Sequence, residues 1–176
     1  MHTDVHEQAV QVERTFYTQE DCMEIENKLK ELGYSLPAPN PPASNRDGAV
    51  RTGNLVFVSG HVPSIPGGGF LHIGKVPTDV TIEQGSDSAR QATLNCLASV
   101  KACIGNLDKV KRVVKLLCMV NCTPDFQESS RVANGASDLL VSLYGESGRH
   151  ARSAVGMASL PNSVPFEIEM IVEVSD

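Results

Sequence analysis

Hydrophobic positions repeat with two different periods along the chain, which predicts both helices and strands. One long helix is predicted over 83–104, with small apolar residues on one face: Ala89, Ala92, Cys96, Val100 and Cys103. A second helix is predicted over 131–144, burying Val132, Ala136, Leu139, Leu140 and Leu143. Alternating or continuous apolar runs predict strands over 49–60, 110–122, 151–159 and 165–174.

The turns between these segments predict how the strands pair. Gly53 and Asn54 interrupt the first apolar run and predict a tight hairpin there. The segment 160–164 predicts a second hairpin between the last two strands, with residue 152 opposite residue 173. The order of elements predicts an α+β fold, in which two helices cover one face of the sheet.

The first 47 residues predict an extension that precedes the main domain. A helix is expected over about 18–33, beginning at Thr18 and ending at Gly33. The segment 35–47 contains four prolines, which exclude a helix and predict a linker. We therefore expect an extension over 1–47 and a main domain over 48–176.

The strand over 110–122 is apolar on both of its faces at 116–120. Strands of this kind are buried on both sides, whereas two helices cover only one. Another copy of the chain would cover the second face most simply. We therefore expect a homo-oligomer in which the sheets pack inward.

Composition and charge narrow the classes of function. The net charge of −6 does not favour binding to nucleic acid or to an anionic membrane. No apolar run is long enough to span a bilayer, and the first residues do not have the pattern of a signal peptide. Five cysteines without a C-x-x-C motif indicate neither a disulfide framework nor a metal site. These features predict a cytoplasmic protein without a cysteine-based metal site.

Arg152 is the unexpected residue of the last predicted hairpin, because most of its neighbours in the strand are small. On the predicted register it lies on the face away from the helices, with Ala154, Gly156, Ala158, Glu167, Glu169 and Glu173. Small neighbours leave room for a ligand, and a guanidinium is a suitable donor for a carboxylate. The alternative is an ion pair between subunits, from Arg152 to Glu167 or Glu173, and spacing alone favours this structural role.

Four segments together resemble the Rid family, the YjgF-like reactive-intermediate deaminases. They are GNLVFVSGHV at 53–62, the long run at 89–121, RVANGASDLL at 131–140, and ARSAVGMASLPNSVPFEIEMIVEV at 151–174. The resemblance implies a chorismate-mutase-like fold, a homotrimer, and pockets at the subunit interfaces.

The resemblance also implies roles for particular residues. Arg152 matches the arginine that binds the carboxylate of a 2-imino acid, and Glu167 matches the glutamate that orients the attacking water. The other positions that match the pocket are Asn134, Ser59, Gly60, His61 and Ala154. Two of them depart from the deaminase pattern, since His61 replaces a glutamine and Ala154 replaces a cysteine. In addition, 45–47 stands where the deaminases usually have a tyrosine.

The resemblance therefore implies hydrolysis of small 2-imino or enamine acids to 2-keto acids and ammonia, a reaction that needs no metal or organic cofactor because a protonated imine is already electrophilic. The first alternative is a regulatory module that binds a carboxylate metabolite without turnover, which the departures at 45–47 and Ala154 favour. The second is an endoribonuclease or translation inhibitor, the label often given to relatives with this signature. A local basic cluster would carry that activity: Lys101, Lys109, Lys111, Arg112 and Lys115. Such a cluster is more often a solvated face, so we expect no nucleic acid partner.

Overall fold

Two long helices pack on one face of a mixed five-stranded sheet, in a computed structural model that describes residues 23–39 and 45–175. The long helices are α2 (Ile82–Ile104) and α3 (Ser129–Tyr144), and a short α1 (Glu24–Glu31) precedes them. The α+β fold with two helices on one face is thus confirmed. Residues 18–22 of the predicted first helix lie outside the described residues.

The strands follow the order β1-β2-β5-β3-β4 across the sheet. Their bounds are Ala49–Thr52 for β1, Leu55–His61 for β2, Val110–Asn121 for β3, Ala151–Met157 for β4 and Phe166–Val174 for β5. The first three pairs in this order are antiparallel, whereas β3 and β4 are parallel. The predicted hairpin between β1 and β2 is confirmed, with Gly53 at a φ of 58° in its turn.

The predicted hairpin between the last two strands is wrong. β3 lies between β4 and β5, so that Arg152 pairs with Leu116 of β3 and Glu173 pairs with β2 and β3. The connection passes through a 3₁₀ turn in which Asn162 and Ser163 have φ angles of 53° and 55°. β5 is the more apolar strand and is buried at every second residue, so it takes the central place and leaves β4 at the edge.

The alternation within β5 was predicted correctly and defines the two faces of the sheet. Five apolar residues of β5 are buried beneath the helices: Phe166, Ile168, Met170, Val172 and Val174. In β3, Leu116, Cys118 and Val120 belong to this face, whereas Leu117 and Met119 are only half-buried on the other. That second face, which we call the open face, also exposes Phe57 at 44%. The homo-oligomer expected to cover it stays a prediction.

The two long helices approach each other closely at Gly135. A Cβ on this residue would collide with the carbonyl oxygen of Ser86 in α2. α2 begins with a capping box, in which Thr81 and Gln84 each bind the other's backbone N–H. Its predicted apolar face is buried except at Cys103, which is exposed in the last turn of the helix.

α1 is attached to the main domain through its N-terminus. Asp108, in the 3₁₀ turn before β3, accepts hydrogen bonds from the backbone N–H groups of Glu24 and Ile25 at 3.0 and 2.9 Å. Ile25 and Leu29 are buried below this contact. The helix is therefore capped by a carboxylate that lies far away in the sequence. Among the described residues, no helix has the length and apolarity needed to cross a membrane.

Candidate anion-binding site

Arg152 lies on the face of the sheet that α3 covers, at the edge strand β4. Its partner in β3 is Leu116, which is fully buried beneath the helices. Paired residues of adjacent strands share a face, so the prediction that Arg152 lies on the open face is wrong. The cause is the pairing of β4 with β3 instead of β5.

Side-chain and backbone oxygens of α3 hold the guanidinium of Arg152. Nη1 donates to Asn134 Oδ1 at 3.0 Å and to Ser137 Oγ at 2.9 Å, and Nη2 donates to the Ser130 carbonyl at 3.4 Å. All of these acceptors are neutral. No carboxylate of the described residues forms a salt bridge with Arg152, and none of their atoms accepts from its Nε. The site therefore combines a fixed positive charge with unused donors, as an anion requires.

His150 extends this arrangement by one more hydrogen bond. Its Nδ1 lies 2.6 Å from the Gly148 carbonyl, and its Nε2 lies 3.0 Å from Ser137 Oγ. A carbonyl only accepts, so Nδ1 carries the proton and Nε2 accepts from the Ser137 hydroxyl. Burial is the main reason why the pKa of His150 lies below its ordinary value, and the nearby Arg152 lowers it further. The neutral imidazole of His150 is thus the form that is consistent with both hydrogen bonds.

Glu167 belongs to a second group of residues, on the open face. It pairs with Met119 of β3, and its carboxylate occupies the space where a Cβ on Gly60 would lie. Partial burial and the neighbouring Glu169 raise the pKa of Glu167, while Arg46 opposes that rise. A carboxylate with a raised pKa is suited to accept a proton from water.

Ser59 and Gly60 lie beside this carboxylate at the end of β2. The single hydroxyl hydrogen of Ser59 is shared between the carbonyls of Asp47 and Gly48, each of which lies 3.1 Å from Oγ. This contact connects the segment 45–47, which replaces the usual tyrosine, to the strand that contacts Glu167. We call Glu167, Ser59, Gly60 and Arg46 the glutamate group, and Arg152 with its α3 partners the arginine group.

His61 and Ala154 are the remaining residues of the predicted site. His61 is 3% exposed and points toward α2, where its Nε2 lies 2.7 Å from Ser99 Oγ and its Nδ1 lies 2.6 Å from the Ser59 carbonyl. Burial is the chief reason why the pKa of His61 lies below its ordinary value. Ala154 is half-buried on the same face as Arg152, opposite Cys118.

Within one chain, the two groups lie on opposite faces of the sheet. The structure brings Asn134 to Arg152, and it brings Ser59 and Gly60 to Glu167, but it does not bring Arg152 to Glu167. In-chain pairing of Arg152 with Glu167 or Glu173 is therefore excluded.

Among the described residues, no group of three His, Cys, Asp or Glu side chains could hold a metal ion.

Sequence reasoning missed Ser137, the Ser130 carbonyl and Arg46. Ser137 could have been found, because it follows Asn134 by three residues and so lies on the same helix face. Nothing in the sequence distinguishes the Ser130 carbonyl, because every residue has a backbone carbonyl. Arg46 belongs to the segment 45–47, where only the absence of a tyrosine was noted.

The fold and this site define a class of α+β protein in which neutral oxygens of a covering helix hold an arginine of the edge strand. The chain belongs to the YjgF family: the family model described as "YjgF/chorismate mutase-like, putative endoribonuclease" matches residues 26–170. The chain is 44% identical to Protein TCP17 of Trypanosoma cruzi over 149 residues, which cover 84% of this chain and 92% of that protein. It is 30% identical to a RutC family protein of Pyrococcus horikoshii over 145 residues, 81% of this chain and 97% of the relative.

Solved structures agree with this assignment. Protein Atu1372 of Agrobacterium tumefaciens, of unknown function, superimposes with a TM-score of 0.80 at 43% identity, covering 86% of this chain and 92% of that one. A Shewanella oneidensis protein with an endoribonuclease label gives 0.81 at 29% identity, covering 85% and 99%. Escherichia coli TdcF with bound serine gives 0.55 at 25% identity, covering 80% and 96%.

Proposed function

We propose that this protein hydrolyses small 2-imino or enamine acids to 2-keto acids and ammonia. The observation that supports this most is the guanidinium of Arg152, which neutral oxygens hold in place and no described carboxylate neutralises. A guanidinium in this state is suited to bind the carboxylate of a small acid through two parallel hydrogen bonds. The structure of TdcF with bound serine supports the same ligand class, because serine carries a carboxylate.

The proposed reaction needs only water and one proton acceptor. Arg152 binds the carboxylate and so fixes the position of the neighbouring imine carbon. Water attacks that carbon in the protonated imine while one of its protons passes to Glu167, whose pKa is raised by burial and by Glu169. Glu167 then returns this proton to the nitrogen of the neutral carbinolamine. The C–N bond breaks, the hydroxyl proton passes to the departing ammonia, and ammonium and the 2-keto acid remain. Fixing the imine beside the water supplies most of the acceleration.

We further propose that one copy of the chain supplies the arginine group and a neighbouring copy supplies the glutamate group. Two observations support this arrangement: the groups lie on opposite faces of one sheet, and the open face exposes apolar side chains such as Phe57. An assembly that covers the open face would shield the glutamate group from water. The resemblance to the Rid family supports a homotrimer as the form of this assembly.

Ammonia release from freshly generated 2-iminobutanoate tests the reaction. We expect the wild type to exceed the spontaneous rate and Arg152→Ala to lose that excess. Arg149→Ala is the matched control, because Arg149 lies on the same segment but is exposed and forms its ion pair with Glu146, away from the arginine group. If Arg149→Ala and Arg152→Ala have equal activity, Arg152 is not the substrate anchor.

Binding without turnover is the second candidate, and a specific observation favours it. Arg152 and the α3 oxygens that hold it lie together within one chain, whereas Glu167, the proposed proton acceptor, lies on the other face of the sheet. Isothermal titration with 2-ketobutanoate separates the two functions. Heat of binding without ammonia release from 2-iminobutanoate would support the regulatory module.

The endoribonuclease alternative has less support from the contacts of the basic cluster. Lys101 forms a 2.7 Å ion pair with Glu26, and Lys115 donates to Ser153 Oγ at 2.9 Å. Lys115 also belongs to the open face, since it pairs with Ile171 of β5. The cluster is therefore divided between surfaces, and RNA binding that disappears at physiological salt would be non-specific.

A further inference from the structure

The partners on α3 decide which edge of the Arg152 guanidinium is left for a ligand. Nη1 has two hydrogens, and both are used, by Asn134 and by Ser137. Nη2 uses one hydrogen for the Ser130 carbonyl. The donors that remain are Nε–H and one hydrogen on Nη2. A carboxylate can therefore make its two hydrogen bonds only along the side of the guanidinium that carries Nε.

The Ser137 hydroxyl controls this choice because it both accepts and donates. It accepts from Arg152 Nη1 at 2.9 Å, so its single hydrogen is directed to His150 Nε2 at 3.0 Å. His150 Nε2 is able to accept because the Gly148 carbonyl takes the proton on Nδ1. Gly148 is itself fixed, since a Cβ there would collide with the Leu140 carbonyl of α3. Each donor hydrogen in this hydrogen-bond network therefore has one assigned acceptor.

We infer that His150 and Ser137 are positioning residues, which hold the Arg152 guanidinium so that its Nε side receives the substrate carboxylate. The inference rests on the proposed function, in which Arg152 binds that carboxylate. His150 does not touch the ligand in this scheme. It takes the hydroxyl hydrogen of Ser137, and the oxygen of Ser137 is thereby kept as an acceptor for Nη1.

Two pairs of variants separate positioning from folding. Ser137→Thr keeps the hydroxyl and Ser137→Val replaces it with a methyl group of similar size, so the two differ mainly in the hydrogen bond. His150→Asn keeps an acceptor for the hydroxyl, and His150→Ala removes it. His72→Ala is the control for loss of a histidine elsewhere, since His72 lies against α2 near Tyr34 and Arg90.

The measurements are the Kd for 2-ketobutanoate by calorimetry, and kcat and KM for ammonia release. We expect Ser137→Val and His150→Ala to weaken binding by about tenfold and to raise KM similarly, as for the loss of one hydrogen bond to a charged group. Their kcat should stay within about twofold, because the lost binding is common to substrate and transition state. Ser137→Thr, His150→Asn and His72→Ala should stay within about threefold of the wild type in Kd, since the acceptor is kept.

Two failures are distinguishable. If the wild type neither binds 2-ketobutanoate nor releases ammonia, the proposed function is wrong. If the wild type binds but Ser137→Val matches Ser137→Thr and His150→Ala matches His150→Asn, the positioning role is overturned. Calorimetry is carried out well below the melting temperature of each variant, so that the comparison within each pair reports binding by the folded protein.

Discussion

At the scale of single residues, Gly60 provides the space in which the carboxylate of Glu167 lies. Its φ is outside the left-handed region, so the backbone tolerates a side chain, and the atom that a Cβ would meet is the mobile end of Glu167. A methyl group here therefore moves the carboxylate and leaves the fold intact. A substitution at Gly60 therefore changes the position of the proposed proton acceptor without changing the stability of the sheet.

We predict that Gly60→Ala lowers kcat for ammonia release by about 10²-fold, the effect expected when a reacting group is displaced by an ångström. Binding of 2-ketobutanoate should be nearly unchanged, because Arg152 and α3 are not touched. Parallel kinetics and calorimetry on the same preparation check both statements. Wild-type kcat in this variant would show that Glu167 does not act as the proton acceptor.

The burial of His61 leads to a prediction about how the stability of the fold depends on pH. Burial lowers its pKa below the ordinary value of 6.5, so the unfolded chain binds a proton more readily than the folded one. The neutral ring therefore contributes its full stability above that ordinary value, and stability is lost as the pH falls from there toward the folded pKa. We expect the melting temperature of His61→Gln to fall less steeply than that of the wild type between about pH 7.5 and 5. Parallel curves for the two proteins would contradict this account.

The residue scale is also where sequence reasoning was least complete. Arg152 was recognised from its small neighbours, and Asn134 from the resemblance, and the structure places the two in contact. Their common face was not predictable, because it depends on whether β4 pairs with β3 or with β5. That choice is made by long-range packing of β5, and no residue of the loop at 160–164 encodes it.

At the scale of elements, α1 depends on a cap that comes from outside its own segment. Met23 at its N-cap position makes no side-chain hydrogen bond, and Asp108 supplies both acceptors instead. The helix has eight residues, a length at which an isolated helix is unstable in water. Its order therefore depends on Asp108 and on the burial of Ile25 and Leu29.

We predict that Asp108→Ala lowers the free energy of unfolding by about 1 kcal/mol, the usual cost of losing an N-cap. Amide hydrogen exchange should accelerate over 25–31, while exchange in β3 beyond the 3₁₀ turn stays slow. Asp125→Ala is the control, because Asp125 is exposed in a turn far from α1 along the chain. Equal acceleration over 25–31 in both variants would exclude a capping role for Asp108.

The periodicity of the sequence predicted α2, α3 and β3 to within about two residues at each end. These elements are long, so that local periodicity and tertiary packing agree along most of their length. The predicted pairing of the last two strands was wrong, because a short loop limits which strands can be neighbours but does not determine which strand each one pairs with. The close contact between Gly135 and Ser86 was not foreseen either, since a single glycine within a helix has several explanations.

At the scale of the whole molecule, the proposed assembly leads to a prediction that uses two inactive proteins. Arg152→Ala removes the arginine group and keeps Glu167, while Glu167→Gln does the opposite. If each site takes one group from each of two copies, mixed assemblies contain some intact sites. Refolding the two variants together in equal amounts should restore about a quarter of wild-type activity in a closed ring.

The control is to mix the two variants after each has been refolded separately, which gives activity only as subunits exchange. Sedimentation analysis of the same samples shows whether the assemblies form. No recovery in a properly mixed assembly would mean that the complete site lies within one chain, or that Glu167 is not part of it.

If each site is shared between two copies as proposed, the placement of Arg152 and Glu167 on opposite faces of one sheet also has a genetic consequence. A chain that carries both substitutions would disable the site on each of its two sides, although each of its neighbours is normal. In a cell that produces normal and doubly substituted chains together, a minority of defective copies would inactivate a larger share of the sites. Loss of function would then be dominant over the normal gene, whereas a substitution that prevents assembly altogether would be recessive.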